Sequence, residues 1–229
     1  MKTFPPFLHT FWKMFASLFH YRYLPYYIFV AILTYMIVAS WFDWQYNLWV
    51  HKNINTKIEI LWTADILGFI VGLLLPLLSL CVWLWTRKIL YQKIFQLSLY
   101  TIALSLLAST FFKALIGRES PPHFHGLKWL PKMATWVDNS SHFNFWILRE
   151  QVFGGFPSSH ATVFFGLTFA FYFCTQKWYL KLGKAPLIVF FCLATFITFW
   201  VSFGHHWFSE SLAGIVLGYV VGRVVSGRI

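Results

Sequence analysis

The feature that most limits what this chain can become is its succession of long apolar runs, at residues 24–42, 64–85, 95–116, 158–176, 185–203 and 208–225. The hydrocarbon core of a bilayer takes roughly 20 helical residues to cross, and each run approaches or exceeds that length. The expectation is an all-α integral membrane protein with six transmembrane helices. Composition agrees: 59% of the 229 residues are hydrophobic and only 11% are charged, where soluble domains carry about 25% charged residues. Cys81, Cys174 and Cys192 lie inside apolar runs and are read as small buried hydrophobes, not as a disulfide set or metal site.

Connections placed alternately on the two sides of such a bundle separate the charges. Lys2, Lys13, Arg22, Arg87, Lys88, Lys93, Lys177, Lys181, Lys184, Arg223 and Arg228 fall on one side, with no acid among them. All seven acids fall on the other. The cationic side is expected to be cytoplasmic, which puts both termini inside and a long connection at 117–156 outside. The chain then forms one membrane domain over 1–229. Its N-terminal segment, 1–23, is aromatic and basic, too long for a cleavable signal, and is read as a surface-lying amphipathic helix. The net charge of +11 is spread over short inside connections, the ordinary signature of topology and anionic headgroups, so nucleic acid is set aside as a partner.

Seven of the nine histidines join the acids on the outer side, so proton-transfer chemistry is expected there. Three clusters reach that surface from segments far apart in sequence. "FFKALIGRESPP" ends the third span with Lys113 and Arg118. "GGFPSSHATVFF" opens the fourth, where Pro157 suits a first helical position and Gly154 and Gly155 give a flexible approach. "SFGHHWFSESLAG" opens the sixth with His205, His206 and Glu210. A helix start offers unpaired N–H groups and a positive dipole end, which suits an anion such as phosphate. Ser158 and Ser159 stand at that start, although serines there also serve as plain caps. His206 and Glu210 are four apart and share a helix face, so the carboxylate can fix the imidazole tautomer and leave the second nitrogen to attack. His160 is then placed to act as general acid. His123 and His125 lack a third ligand at useful spacing, and no metal is expected.

These residues resemble the phosphatidic acid phosphatase type 2 (PAP2) superfamily, whose members carry Lys, six residues, Arg-Pro; then Pro-Ser-Gly-His; then Ser-Arg, five residues, His, three residues, Asp. The chain offers "KALIGRESP", "PSSH" and "HWFSE" in that order across a motif-bearing region at 113–214. The resemblance implies a six-transmembrane bundle with its site on the extracytoplasmic loop between spans three and four. It further implies a metal-independent, cofactor-free double displacement. His206 would form a phosphohistidine, Glu210 would orient it, and His160 would protonate the departing oxygen and later activate water. Lys113, Arg118, Ser158 and Ser159 would hold the phosphate.

The pattern departs from the family at definite places. Ser120 stands where arginine precedes proline, with Arg118 two positions earlier as its substitute; Phe199 and Trp200 replace the Ser-Arg pair; Glu210 replaces aspartate. Arg149, His205, His123 and His125 are the candidates for the missing positive charge. The reading is therefore a bacterial inner-membrane lipid phosphatase facing the periplasm, acting on a lipid A, undecaprenyl pyrophosphate or phosphatidylglycerol phosphate type of substrate. A phosphotransferase of the same fold and a degenerate, non-catalytic phospholipid-binding member remain open beside it. The expected partners are the phosphorylated lipid and the bilayer, and the sequence carries no sign of the oligomeric state.

Overall fold

Apolar runs without strand-like alternation fold as helices because in hydrocarbon a helix alone satisfies its own backbone. The computed structural model describes residues 6–53, 58–116, 118, 155–177 and 184–229. Among these residues every regular element is helical: α1 (Pro6–Leu18), a 3-10 turn (Tyr21–Tyr23), α2 (Leu24–Ala39), α3 (Phe42–Asn53), α4 (Ile58–Thr86), α5 (Ile89–Ile116), α6 (Ser159–Lys177), α7 (Lys184–His205) and α8 (Phe208–Ser226). Among the described residues three stretches, Tyr21–Ala39, Ile89–Ile116 and Phe208–Ser226, are long and apolar enough to cross a membrane, and Ile70–Thr86 and Leu187–Trp200 are shorter apolar helices. The expected loop at 117–156 lies outside the described residues except for Arg118, Gly155 and Phe156.

Among the described residues large apolar side chains face outward as well as into the core. Ile28, Phe29, Ile32 and Met36 on α2, Leu77 and Leu78 on α4, and Ile188, Val189 and Phe196 on α7 are exposed, which suits contact with lipid chains. On α5, by contrast, Ser98, Thr101, Ser105, Ser109 and Lys113 form a buried stripe at helical spacing. Ser98 and Thr101 return their hydroxyl protons to the carbonyls of Ile94 and Leu97, at 2.8 and 2.7 Å. Ser105 donates across to the carbonyl of Thr162 at 3.3 Å, and the Ser109 and Ser159 hydroxyls lie 3.1 Å apart. Small side chains and interhelical hydrogen bonds are what hold helices together where there is no hydrophobic drive.

The tightest packing is between α6 and α8, which run parallel from the same end of the bundle. Gly214, Gly218 and Gly222 on α8 meet a row formed by Ser158, just before α6, and Thr162, Gly166 and Ala170 on it. A Cβ at Gly214 would come within 2.6 Å of the Ala161 Cβ and the Ser158 carbonyl, and one at Gly218 within 2.8 Å of the Gly166 nitrogen. The spacing of four on both helices lets the backbones touch, and it fixes the two N-terminal ends level with each other.

Four expectations need correcting. The first predicted span, 24–42, stops at Ala39: Trp41 takes a left-handed φ of 61°, which breaks the helix and starts α3 in a new direction. Pro157 is not a first helical residue, since α6 begins at Ser159. The N-terminal helix is not simply surface-lying: Met14 and Leu18 are completely buried in the main core, and Phe15 stacks edge-on against Phe111 of α5. Finally, only Cys174 of the three cysteines is buried; Cys81 and Cys192 are exposed, where a small apolar side chain also suits a lipid-facing position.

Candidate active site

The starts of α6 and α8 and the end of α5 meet at one end of the bundle. Lys113, in the last turn of α5, is only 5% exposed. Ser158 precedes α6 and caps it: its Oγ accepts from the Ala161 amide at 3.4 Å, and its own amide donates to the Glu210 carbonyl at 3.0 Å. That last bond ties the second predicted cluster to the third. Ser159 is turned toward Ser109 of α5. His160 is buried and lines a small cavity of about 100 Å³ with Gly72, Leu73, Ile102, Leu106, Val163 and Phe164.

His206 and Glu210 are joined as their spacing suggests. Nδ1 of His206 lies 2.9 Å from Oε2 of Glu210, and the same oxygen accepts from the Trp207 amide at 3.2 Å. Glu210 is the third residue of α8, so its carboxylate folds back over the helix start as in a capping box. This local rule sets the geometry of the pair: the glutamate that caps α8 reaches the histidine just before it. With an ionised carboxylate accepting, Nδ1 carries the proton and Nε2 is the nucleophilic nitrogen.

Arg118 is drawn into this site from the other side of the long connection. The sequence assigns it to the phosphate; the structure turns its guanidinium to protein groups. Nη2 lies 2.8 Å from Oδ2 of Asp43, Nη1 donates to the Ser209 hydroxyl at 2.6 Å, and Nε stands 3.8 Å from Oε1 of Glu210. The indole of Trp207 lies beneath, 5.3 Å from the guanidinium carbon. Gly155 completes the enclosure by close approach: a Cβ there would overlap the Arg118 carbonyl and come within 2.5 Å of Glu210 Oε1. The glycine is thus needed for space at this point, not for a flexible approach.

Asp43 and Ser209 were not picked out by sequence. Asp43 Oδ1 accepts from the Ser209 amide at 3.0 Å and Oδ2 from the Ser209 hydroxyl at 2.5 Å, so α3 caps α8 from across the fold. The available signal was weak: an acid just beyond the first apolar run, with nothing local to pair with. Of the auxiliary candidates, Arg149, His123 and His125 lie outside the described residues, as does the His205 side chain at the end of α7. Among the described residues no group of three His, Cys, Asp or Glu side chains could hold a metal ion.

Beside the polar site runs a large apolar cavity of about 580 Å³ between α2, α5 and α8. Val38 and Ala39, Leu115 and Ile116, and Ala213 form its walls, and Phe156 and Pro157 separate it from the start of α6.

Fold and site together describe an all-helical protein with apolar, membrane-compatible helices that gathers a buried histidine–carboxylate pair and two cations at the converging ends of three of them. Residues 95–227 match the model of the PAP2 superfamily, more than half of the chain, and the chain belongs to that superfamily. Membership suggests phosphatase- or phosphotransferase-type activity. Neither the curated proteins nor the solved structures contain a significant match. The matched region starts within α5 and takes in α6 to α8; Asp43 and all of α1 to α4 lie before it.

Proposed function

We propose that the chain is a metal-independent phosphatase of membrane lipids that works through a phosphohistidine on His206. The observation that carries this reading is the buried His206–Glu210 hydrogen bond at 2.9 Å, formed where Lys113 and the start of α6 converge. In the first step Nε2 of His206 attacks phosphorus, the bond to the lipid oxygen breaks, and His160 supplies the proton that oxygen needs. In the second step water attacks the phosphohistidine, gives its proton to His160, and releases inorganic phosphate and free His206. Lys113, the Ser158 and Ser159 hydroxyls and the first N–H groups of α6 stabilise the equatorial oxygens, where phosphoryl transfer draws most of its catalysis.

The substrate in this reading is an amphiphile whose phosphate sits at headgroup level. The apolar cavity beside Phe156 and Pro157 would take one of its chains, since it adjoins the α6 start and its lining is apolar. The topology proposed is six spans, formed by α2, α4, α5, α6, α7 and α8. Both termini would be cytoplasmic and the site would face the periplasm of a bacterial inner membrane. The distribution of cations supports that orientation.

Two observations favour a second reading, a member that binds a phosphorylated lipid without cleaving it: Trp200 stands where the family has a phosphate-binding arginine, and Arg118 is engaged by protein groups. The test is phosphate release from a panel of phosphorylated lipids in detergent, without added metal, beside His206→Ala and His160→Ala. Release that both substitutions abolish supports the phosphatase. Lipid binding without release supports the binding protein, and transfer of the phosphoryl group to a second lipid supports a phosphotransferase.

A further inference from the structure

We propose that Asp43 is a positioning residue for the catalytic pair. It holds Arg118 at a distance from Glu210 that leaves the carboxylate on His206, so Arg118 acts on the nucleophile and not on the phosphate. This inference rests on the phosphatase reading above.

Arg118 and His206 compete for one carboxylate, that of Glu210. Glu210 is completely buried, and the Arg118 side chain is only 9% exposed, so the interaction between them is poorly screened by water. A guanidinium offers five N–H donors in a planar fork and pairs best with a carboxylate through two of them. Left alone with Glu210, Arg118 would take both oxygens and draw Oε2 away from His206. It does not, because both of its terminal nitrogens are occupied: Nη2 by Asp43 Oδ2 at 2.8 Å and Nη1 by the Ser209 hydroxyl at 2.6 Å. Nε faces Glu210 at 3.8 Å, beyond hydrogen-bond length.

Asp43 is itself fixed, since both of its oxygens accept from Ser209. The Ser209 hydroxyl donates to Asp43 and accepts from Arg118, so its single proton is accounted for. The result is a row of alternating charge, Asp43, Arg118, Glu210, ending on the Nδ1–H of His206. Ser209 and Glu210 are neighbours at the start of α8, so one helix end presents both the clamp and the carboxylate it protects. The first-motif arginine is missing at Ser120, and the guanidinium of Arg118, two positions earlier, is engaged by Asp43 and Ser209; in this proposal the cation serves the nucleophile.

The test is a double-mutant cycle. Asp43→Asn keeps an acceptor for the Ser209 amide but removes the charge that holds Arg118. In otherwise wild-type protein it should lower kcat by about tenfold or more while KM changes less than about threefold, because ground-state phosphate binding is untouched. In an Arg118→Gln background, where the competitor is gone, the same substitution should change kcat by less than about twofold. An equal loss in both backgrounds would reduce Asp43 to a helix cap, and a rise in KM alone would return Arg118 to the phosphate; either overturns the proposal. If Asp43→Asn is not recovered folded, Ser209→Ala is read in the same two backgrounds, with the same criteria.

Absence of turnover in the wild type would defeat the phosphatase reading and leave the clamp measurable. The hydrogen-bonded Nδ1–H of His206, followed by nitrogen-15 NMR of histidine-labelled protein, should move or vanish in Asp43→Asn and be restored in Asp43→Asn with Arg118→Gln. A resonance unchanged by Asp43→Asn contradicts the clamp whatever the activity.

Discussion

Nδ1 of His206 lies 2.9 Å from Oε2 of Glu210, and the glutamate is wholly buried. A carboxylate in that position does two things: it selects the tautomer with Nε2 available, and it stabilises the positive charge the imidazole gains as it bonds to phosphorus. Glu210→Gln keeps the shape and loses the charge. It should lower kcat by about 10²- to 10⁴-fold, in line with the loss of an orienting carboxylate beside a catalytic histidine. Steady-state phosphate release measures it, and a kcat within threefold of wild type would deny the pair its role.

Glu210→Asp restores the aspartate of the family pattern yet should also be impaired. The shorter side chain cannot keep both the Trp207 amide and His206 Nδ1 on one oxygen at 3.2 and 2.9 Å without moving the helix start. A drop of about tenfold in kcat is expected, since a small misplacement of a catalytic group is costly. Activity equal to or above wild type would show that the extra methylene is incidental.

Gly155→Ala should be far more damaging than its chemistry suggests. Its Cβ would meet the Arg118 carbonyl and Glu210 Oε1, both fixed parts of the site. The expected cost is about 1–3 kcal/mol of stability, with catalytic loss as Glu210 is displaced. Thermal unfolding in detergent and phosphate release on the same sample separate the two effects. Unchanged values in both would contradict the close approach.

Gly218→Ala should separate α6 from α8. The added carbon would lie 2.8 Å from the Gly166 nitrogen and 2.9 Å from the Thr162 carbonyl, whereas at Gly227, past the end of α8, the nearest atoms are 3.4 Å away. Unfolding temperature should fall clearly for the first and change little for the second, where overpacking of the helix interface is avoided. Equal shifts would argue against close backbone contact between the two helices.

Ala31→Phe places a ring in the apolar cavity between α2, α5 and α8. If a lipid chain lies there, KM for long-chain substrates should rise severalfold, while a short-chain phosphate ester keeps its kcat/KM. The comparison of the two substrates is the measurement; equal effects on both would place the chain elsewhere.

The apolar runs made the helices legible, because burial in lipid leaves a chain little choice but helix. The His206–Glu210 pair was legible for an equally local reason, the i, i+4 spacing at a helix start. What could not be read was anything set by three-dimensional closure. The left-handed Trp41 turns α3 toward α8, and only then does Asp43 meet Ser209, 166 residues away. Arg118 was legible as a cation near the site, but its partners were not, because one of them comes from α3. Gly155 read as a flexible approach, since a sequence does not reveal which backbone stands against it. The glycines of α8 have a spacing of four that was available to be read and gains its meaning only from the matching small residues of α6.

In the proposed mechanism everything turns on His206 carrying the phosphoryl group. The most direct measurement is rapid quenching of the protein with a phosphorus-32-labelled lipid phosphate under alkaline conditions, which preserve phosphohistidine, followed by peptide mapping. Label is expected on His206, absent in His206→Ala and accumulating in a variant impaired in the water step, such as His160→Ala supplied with a lipid bearing a good leaving group. Turnover by the wild type with label on no residue, or turnover that persists in His206→Ala, would contradict the mechanism.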